Sequence, residues 1–308
     1  MLRELHDANS NLITVDAGDL LFNVPNPPPA DRETAERKLK LLLQAYNECQ
    51  YDALNVGIND LALGGRFLQQ FQSMAQFPLI SANITDEQGN PVFKPYILVK
   101  RNKVTVAIVG VTSGNTLADT LHFADVVQTA RAVRKQIGPK ADYTVLLASV
   151  YNPDADRLKQ ADLSYDLIVR SHSPRSSLML DKSSDGYYLQ TGKEGRNVQL
   201  VQIQQTNRQQ PLVDLSMEKQ RLRFIESRLD TFDKLAGNQS VEQKYDKGTI
   251  TFVHSLRKQK EELEQTIDKQ LNYIALDAIT LGSTVPDNPE WLDRVEEFQA
   301  YYQQVADQ

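Results

Sequence analysis

Residues 51–68, YDALNVGINDLALGGRFL, decide how this chain is built. An apolar run from Ala53 to Val56 reads as a strand, Gly57 ends it, a short loop follows, and Gly64-Gly65 opens an amphipathic segment. The same layout recurs on either side. Apolar runs at 12–15, 79–82, 104–109, 144–147, 167–169 and 200–203 read as further strands. Helical patterns lie between several of them. Residues 2–8 open the chain with one, and residues 31–48 place Ala35, Leu39, Leu42 and Ala45 on one face behind a proline-rich loop at 25–29. Residues 120–138 and 153–161 supply two more. Strands alternating with helices predict a layered α/β sandwich whose binding groups gather at strand ends. Asp19, Asn59, Asp60, Ser149, His172 and Arg175 each follow a strand in this reading and form the candidate pocket.

Residues 57–64, GINDLALG, resemble the Gly-Asn-His-Glu-Phe-Asp-x-Gly loop of the calcineurin-like metallophosphatases, and of 5'-nucleotidases in particular. Their glycines match; their Asn and His do not. Residues 11–22, NLITVDAGDLLF, are similar to the strand and turn carrying the family's Asp-x-Gly-Asp, which implies that Asp19 is a bridging metal ligand. The most specific likeness is residues 77–113, with Ser-Ala-Asn at 81–83, Lys-Pro-Tyr at 94–96 and a valine-rich strand ending in Gly-x-Thr at 110–112. Residues 142–152, DYTVLLASVYN, put Ser149 where the resemblance implies a ligand histidine. Residues 166–174, DLIVRSHSP, put His172 at one further ligand position and Pro174 at another. Residues 190–201 resemble the closing strand. The resemblance spans residues 1–205 and implies an α/β/β/α sandwich without the first strand and its Asp-x-His motif, which would precede Met1.

Of the ligands the resemblance implies, Asp19 and His172 remain, while Ile58, Ser149 and Pro174 offer no amide oxygen or imidazole nitrogen. Two divalent cations held about 3.5–4 Å apart need several anionic or imidazole donors and an orienting shell around them. The expectation is a metallophosphatase-like domain that has lost two-metal hydrolysis and serves as a non-catalytic binding or scaffold module, with no cofactor. The alternative is a nucleotidase-type phosphoester hydrolase that uses one divalent ion (Mn, Zn or Fe) or is completed by residues upstream. Ser149, His172 and Asp19 also suggest a nucleophile, base and orienter, although no Gly-x-Ser-x-Gly elbow surrounds Ser149. Asn59 and Asp60 read as caps of a helix starting near Leu61. Arg170 and Arg175 flank His172 either as grips for an anion or as solvated loop residues.

Residues 206–308 read as a helical extension. Leu222, Ile225, Leu229, Phe232 and Leu235 space as one apolar stripe, and Leu256, Leu263, Ile267, Leu271 and Ile274 as another, which predicts an antiparallel hairpin. Gly237-Asn238 is a stop between them, and Ser240 to Gln243 a capping box. A final helix runs through Trp291 to Tyr301. The nucleoside-binding domain of full-length 5'-nucleotidases has no counterpart in this pattern, and residues 214–280 are a candidate dimerisation or docking surface. The partner is a small ligand or a protein. A net charge of −6 over 308 residues gives no electrostatic footprint for nucleic acid or an anionic membrane. No apolar run reaches the roughly 18 residues of a membrane span. The single cysteine, Cys49, allows no intrachain disulfide. Met1 does not open a signal peptide pattern, yet the resemblance implies an exported protein of the periplasm or cell envelope.

Overall fold

In the computed structural model, which describes residues 1–22, 32–114, 121–192, 195–282 and 285–306, the chain forms two compact units. The first comprises residues 1–177, 181–197 and 281–308; the second comprises residues 178–180 and 198–280. The Pro25–Pro29 loop expected from sequence falls outside the described residues, as does the start of the 120–138 helical pattern.

The first unit runs α1 (Leu2–Ala8), β1 (Val15–Asp16), α2 (Arg32–Glu48), β2 (Ala53–Asn55), α3 (Gly65–Gln70), β3 (Leu79–Ile80), β4 (Ile84–Thr85), β5 (Tyr96–Arg101) and β6 (Val104–Thr112). It continues with β7 (His122–Phe123), α4 (Val126–Ile137), β8 (Tyr143–Ser149), α5 (Asn152–Gln160), β9 (Leu167–Ser171), β10 (Asp181–Lys182) and β11 (Tyr187–Gln190). Every strand run expected up to residue 169 is present, most of them displaced by a residue or a few. One sheet is parallel and ordered β1-β2-β3, with Val15 opposite Ala53 and Leu54 opposite Leu79. A larger one is ordered β10-β11-β9-β8-β6-β5, parallel at its centre and antiparallel at both edges, and β4 and β7 form a separate antiparallel pair.

Alternation along β6 explains the layers. Ala107, Val109 and Val111 join Leu146, Ala148 and Ile168 in a core covered by Val126, Ala130 and Ile137 of α4 and Leu158 of α5. A second core unites Leu54 and Leu79 of the small sheet with Leu39 and Leu43 of α2 and Phe67 and Leu68 of α3. Each buried valine, leucine, isoleucine or phenylalanine side chain among these contributes about 1.5–3 kcal/mol on leaving water. On the other side of β6 the small sheet comes close at Gly110: a Cβ there would lie 2.3 Å from Asn55 Oδ1 and 2.9 Å from the Ile80 carbonyl. The expected α/β/β/α sandwich is the fold of this unit.

Caps close the elements. Asp125 accepts from the Gln128 N–H at 2.9 Å to start α4, and Gly138, with φ 52°, ends it. The polar motifs of residues 81–83 and 110–112 are buried staples between strand ends. Asn83 donates to the carbonyls of Thr112 (2.8 Å) and Ala124 (2.9 Å) and accepts from the Thr112 N–H, while Asn55 donates to the carbonyls of Ala17 and Val111, both at 3.0 Å.

The second unit holds β12 (Asn197–Gln205, its first residue in the first unit), β13 (Val213–Asp214), α6 (Ser216–Ala236), α7 (Val241–Lys244), α8 (Lys247–Asp268) and β14 (Asn272–Thr280). Helices α6 and α8 pack as the expected hairpin, through Ile225, Leu229, Val241, Val253 and Leu256. The capping box of Ser240 and Gln243 is formed. Two expectations need correction. Leu271 and Ile274 do not extend the stripe of α8: that helix stops at Asp268, Leu271 is exposed, and Ile274 lies buried in β14. The unit is therefore not purely helical, because β14 pairs between β12 and β13 in a three-stranded sheet. The terminal helix α9 (Pro289–Ala306) groups with the first unit, where the Trp291 indole donates to Glu48 at 3.0 Å and the Arg37 guanidinium lies 4.1 Å from the Tyr301 ring centroid.

Asp246 caps α8, accepting from the N–H groups of Gly248 (2.8 Å) and Thr249 (3.1 Å). Asp246→Ala is expected to lower stability by about 1 kcal/mol in urea titration, the usual worth of such a cap. An unchanged midpoint would show that the hairpin forms without it.

Candidate functional site

Four strand ends of the first unit converge on Asp19. It follows β1, Asn59 and Asp60 follow β2, Ser149 ends β8 and His172 follows β9. Asp19 Oδ2 accepts from the Ser149 hydroxyl at 3.0 Å and from His172 Nδ1 at 2.8 Å, and Oδ1 accepts from the Asn59 N–H at 3.0 Å. Asp19 and His172 both have left-handed backbones, with φ of 67° and 55°. Non-glycine residues hold that conformation at a cost of about 1–3 kcal/mol and only when their surroundings fix it. Here the fixing is visible: Ser171 Oγ donates to the Ala17 carbonyl at 2.9 Å, tying the loop after β9 to the loop after β1.

Gly57 belongs to this geometry. A Cβ at residue 57 would lie 2.2 Å from Asp19 Oδ1 and 2.5 Å from the Asp19 nitrogen, so only glycine lets the two loops approach.

Asp60 is buried and caps no helix. Asn59 to Leu61 form a single 3-10 turn without a side-chain cap, which corrects the expectation for both residues. Asp60 Oδ2 instead accepts from the N–H groups of Gly57 (2.8 Å) and Asp19 (3.0 Å), and Oδ1 from that of Leu21 (2.8 Å). It clips the loops together from inside. Burial pushes its pKa up to about 7, helped by the charge of Asp19 and opposed by the three amide bonds. Asn59 is buried as well, and its side-chain oxygen has no hydrogen-bond partner among the described residues.

The remaining candidates separate. Ser149 and His172 both face the same oxygen of Asp19, so the carboxylate stands between them and no nucleophile-base-orienter order exists. The His172 ring, 29% exposed, meets the Tyr151 ring edge-on with centroids 4.8 Å apart. Arg175 is exposed, and it is its backbone that joins Ser173 Oγ. Arg170 is buried rather than solvated: it donates to the Val150 carbonyl (3.2 Å), Asn152 Oδ1 (2.6 Å) and Gln190 Oε1 (3.4 Å), pinning the loops that follow β8 and β9. Sequence reasoning missed that role. An arginine inside the otherwise apolar run of β9 was the available signal.

The layered sandwich, with its polar loops gathered at strand ends around Asp19, can be compared with known proteins. No family model matches the chain. Over 127 residues it is 28% identical to the protein UshA of Escherichia coli, a match covering 40% of this chain and 22% of that protein. The crystal structure of the calcineurin-like phosphoesterase YfkN from Bacillus subtilis superposes with a TM-score of 0.56 at 17% identity, covering 66% of this chain and 74% of the other. A 5'-nucleotidase precursor from Thermus thermophilus gives 0.54 at 20% identity, covering 66% and 44%. The chain is similar in sequence, over part of its length, to 5'-nucleotidases, and shares its fold with solved calcineurin-like phosphoesterases and 5'-nucleotidases. It aligns with only about a quarter of the length of UshA relatives.

Proposed function

We propose that this domain is a phosphoesterase-fold module that binds a small ligand or a partner protein without carrying out two-metal hydrolysis. The observation that supports this is the state of Asp19. Its carboxylate accepts hydrogen bonds from the Ser149 hydroxyl, the His172 ring and the Asn59 N–H, and the ligand positions implied by the resemblance hold Ile58, Ser149 and Pro174. Ile58 is buried and has no lone pair to offer; the Ser149 hydroxyl is a weak donor beside imidazole. Such a donor set does not fit a pair of divalent cations.

A second reading rests on Asn59. Its side-chain oxygen is buried and without a partner among the described residues, its own backbone N–H already meets Asp19, and an orphan acceptor of this kind is uncommon. With Asp19 and His172 it is the donor type that would hold one divalent ion, which would supply Lewis acidity to a phosphoester. The likeness to 5'-nucleotidases supports a place in the periplasm or cell envelope. No described helix is long and apolar enough to cross a membrane.

Metal analysis of the purified protein after manganese loading, alongside p-nitrophenyl phosphate turnover, tests the proposal. Less than stoichiometric metal and no hydrolysis above buffer are expected. One ion per chain, lost in both Asp19→Ala and Asn59→Ala, would favour the second reading. Two ions per chain with hydrolysis abolished by Asp19→Ala would overturn the proposal.

A further inference from the structure

Helix α6 carries two stripes. The inner one, through Ile225, Leu229, Phe232 and Ala236, packs into the hairpin. The outer one, Met217, Arg221, Phe224, Arg228, Thr231 and Leu235, repeats with spacings of four and three, so it lies along one side of the helix, and all six residues are exposed. Met217, Phe224 and Leu235 leave 58%, 61% and 65% of their surface to solvent. Elsewhere on α6, Arg223, Glu226, Asp230, Asp233 and Lys234 each hold an ion pair. Arg221 and Arg228 meet no carboxylate among the described residues: Arg221 donates to Gln259, and Arg228 lies 5.5 Å from the Phe224 ring centroid.

Helix α9 has the opposite character. Its inner residues Trp291, Arg294 and Tyr301 engage α2 through Glu48 and Arg37. Its outer side exposes Leu292, Val295 and Tyr302, again at three-and-four spacing around Gln299. Asp293 and Glu296 flank that row, and neither pairs with a cation among the described residues. One chain therefore offers an apolar stripe with arginines, and another with carboxylates, that hold no ion pair among the described residues. Opposite charges beside matched apolar rows are what two helices need to dock in one register.

We propose that the chain self-associates, α6 of one copy docking against α9 of a second copy, with the arginines of the first facing the acids of the second. The interface resembles a coiled-coil seam in which Arg221 and Arg228 alternate with apolar residues of α6, while Asp293 and Glu296 lie beside the apolar row of α9. It is independent of the fate of the metal site.

Sedimentation velocity of the full chain across a wide protein concentration range tests this. Mass above the monomer is expected at the high end, receding as salt is raised. Phe224→Glu is expected to leave a monomer. The pair Arg221→Glu and Arg228→Glu weakens association at least about tenfold, as two rim ion pairs turned repulsive should. So does the pair Asp293→Arg and Glu296→Arg, while all four changes in one chain restore it. All these positions are exposed, and circular dichroism checks that each variant is folded. A monomer throughout, or association that charge reversal on either helix leaves unmoved, would overturn the proposal.

Discussion

Asp60→Ala is expected to unfold about 10 °C below the parent protein at neutral pH. Three buried N–H groups, from Asp19, Leu21 and Gly57, lose their acceptor together. At about 1–3 kcal/mol for each stranded donor, the loss is on the order of 4 kcal/mol. Asp60 also dictates a pH dependence. An aspartate in the unfolded chain releases its proton near pH 4, whereas burial holds that of Asp60 to about pH 7. Between those values the folded state binds the extra proton, so stability falls as pH rises through the window and levels off above it. A shift of this size corresponds to something on the order of 4 kcal/mol. Asp60→Asn cannot titrate, and its stability should lose this slope. Urea midpoints of parent and variant from pH 4 to 8 check the point, and parallel curves would show that Asp60 is ionised throughout.

Gly57→Ala is the second large effect. The added methyl would overlap the backbone nitrogen of Asp19 as well as its carboxylate, so rotating a side chain brings no relief. One of the two loops must move, at an expected cost of about 3 kcal/mol or more. Asp19 then loses its bonds to Ser149 and His172. Thermal denaturation reads the first consequence. The nitrogen chemical shifts of the His172 ring read the second, since Nδ1 no longer donates to a carboxylate. A variant with parental melting and unchanged ring shifts would show that the loops tolerate separation.

The two predictions bear on residues of different visibility. Asp19 and His172 could be found because carboxylate and imidazole announce themselves in a sequence and the turns around them match a known pattern. The role of Asp60 could not, since its partners are backbone N–H groups that any residue would supply. Arg170 was placed beside His172 correctly, but its burial follows from how strands pair across the sheet rather than from its neighbours in the chain. Among the strands, β6 and β8 were legible as long apolar runs. β14 was not: Leu271 and Ile274 continue the three-and-four rhythm of α8, and helix and strand patterns coincide over so short a stretch. Only its pairing with β12 and β13 makes it a strand.

That pairing also sets an order of events during synthesis on the ribosome. The middle strand of the second unit's sheet leaves the exit tunnel after both of its neighbours and after the helical hairpin that separates it from β13. β12 and β13 must wait unpaired while some sixty residues emerge, and a nascent chain stopped before Asn272 would present two bare edges to any chaperone nearby.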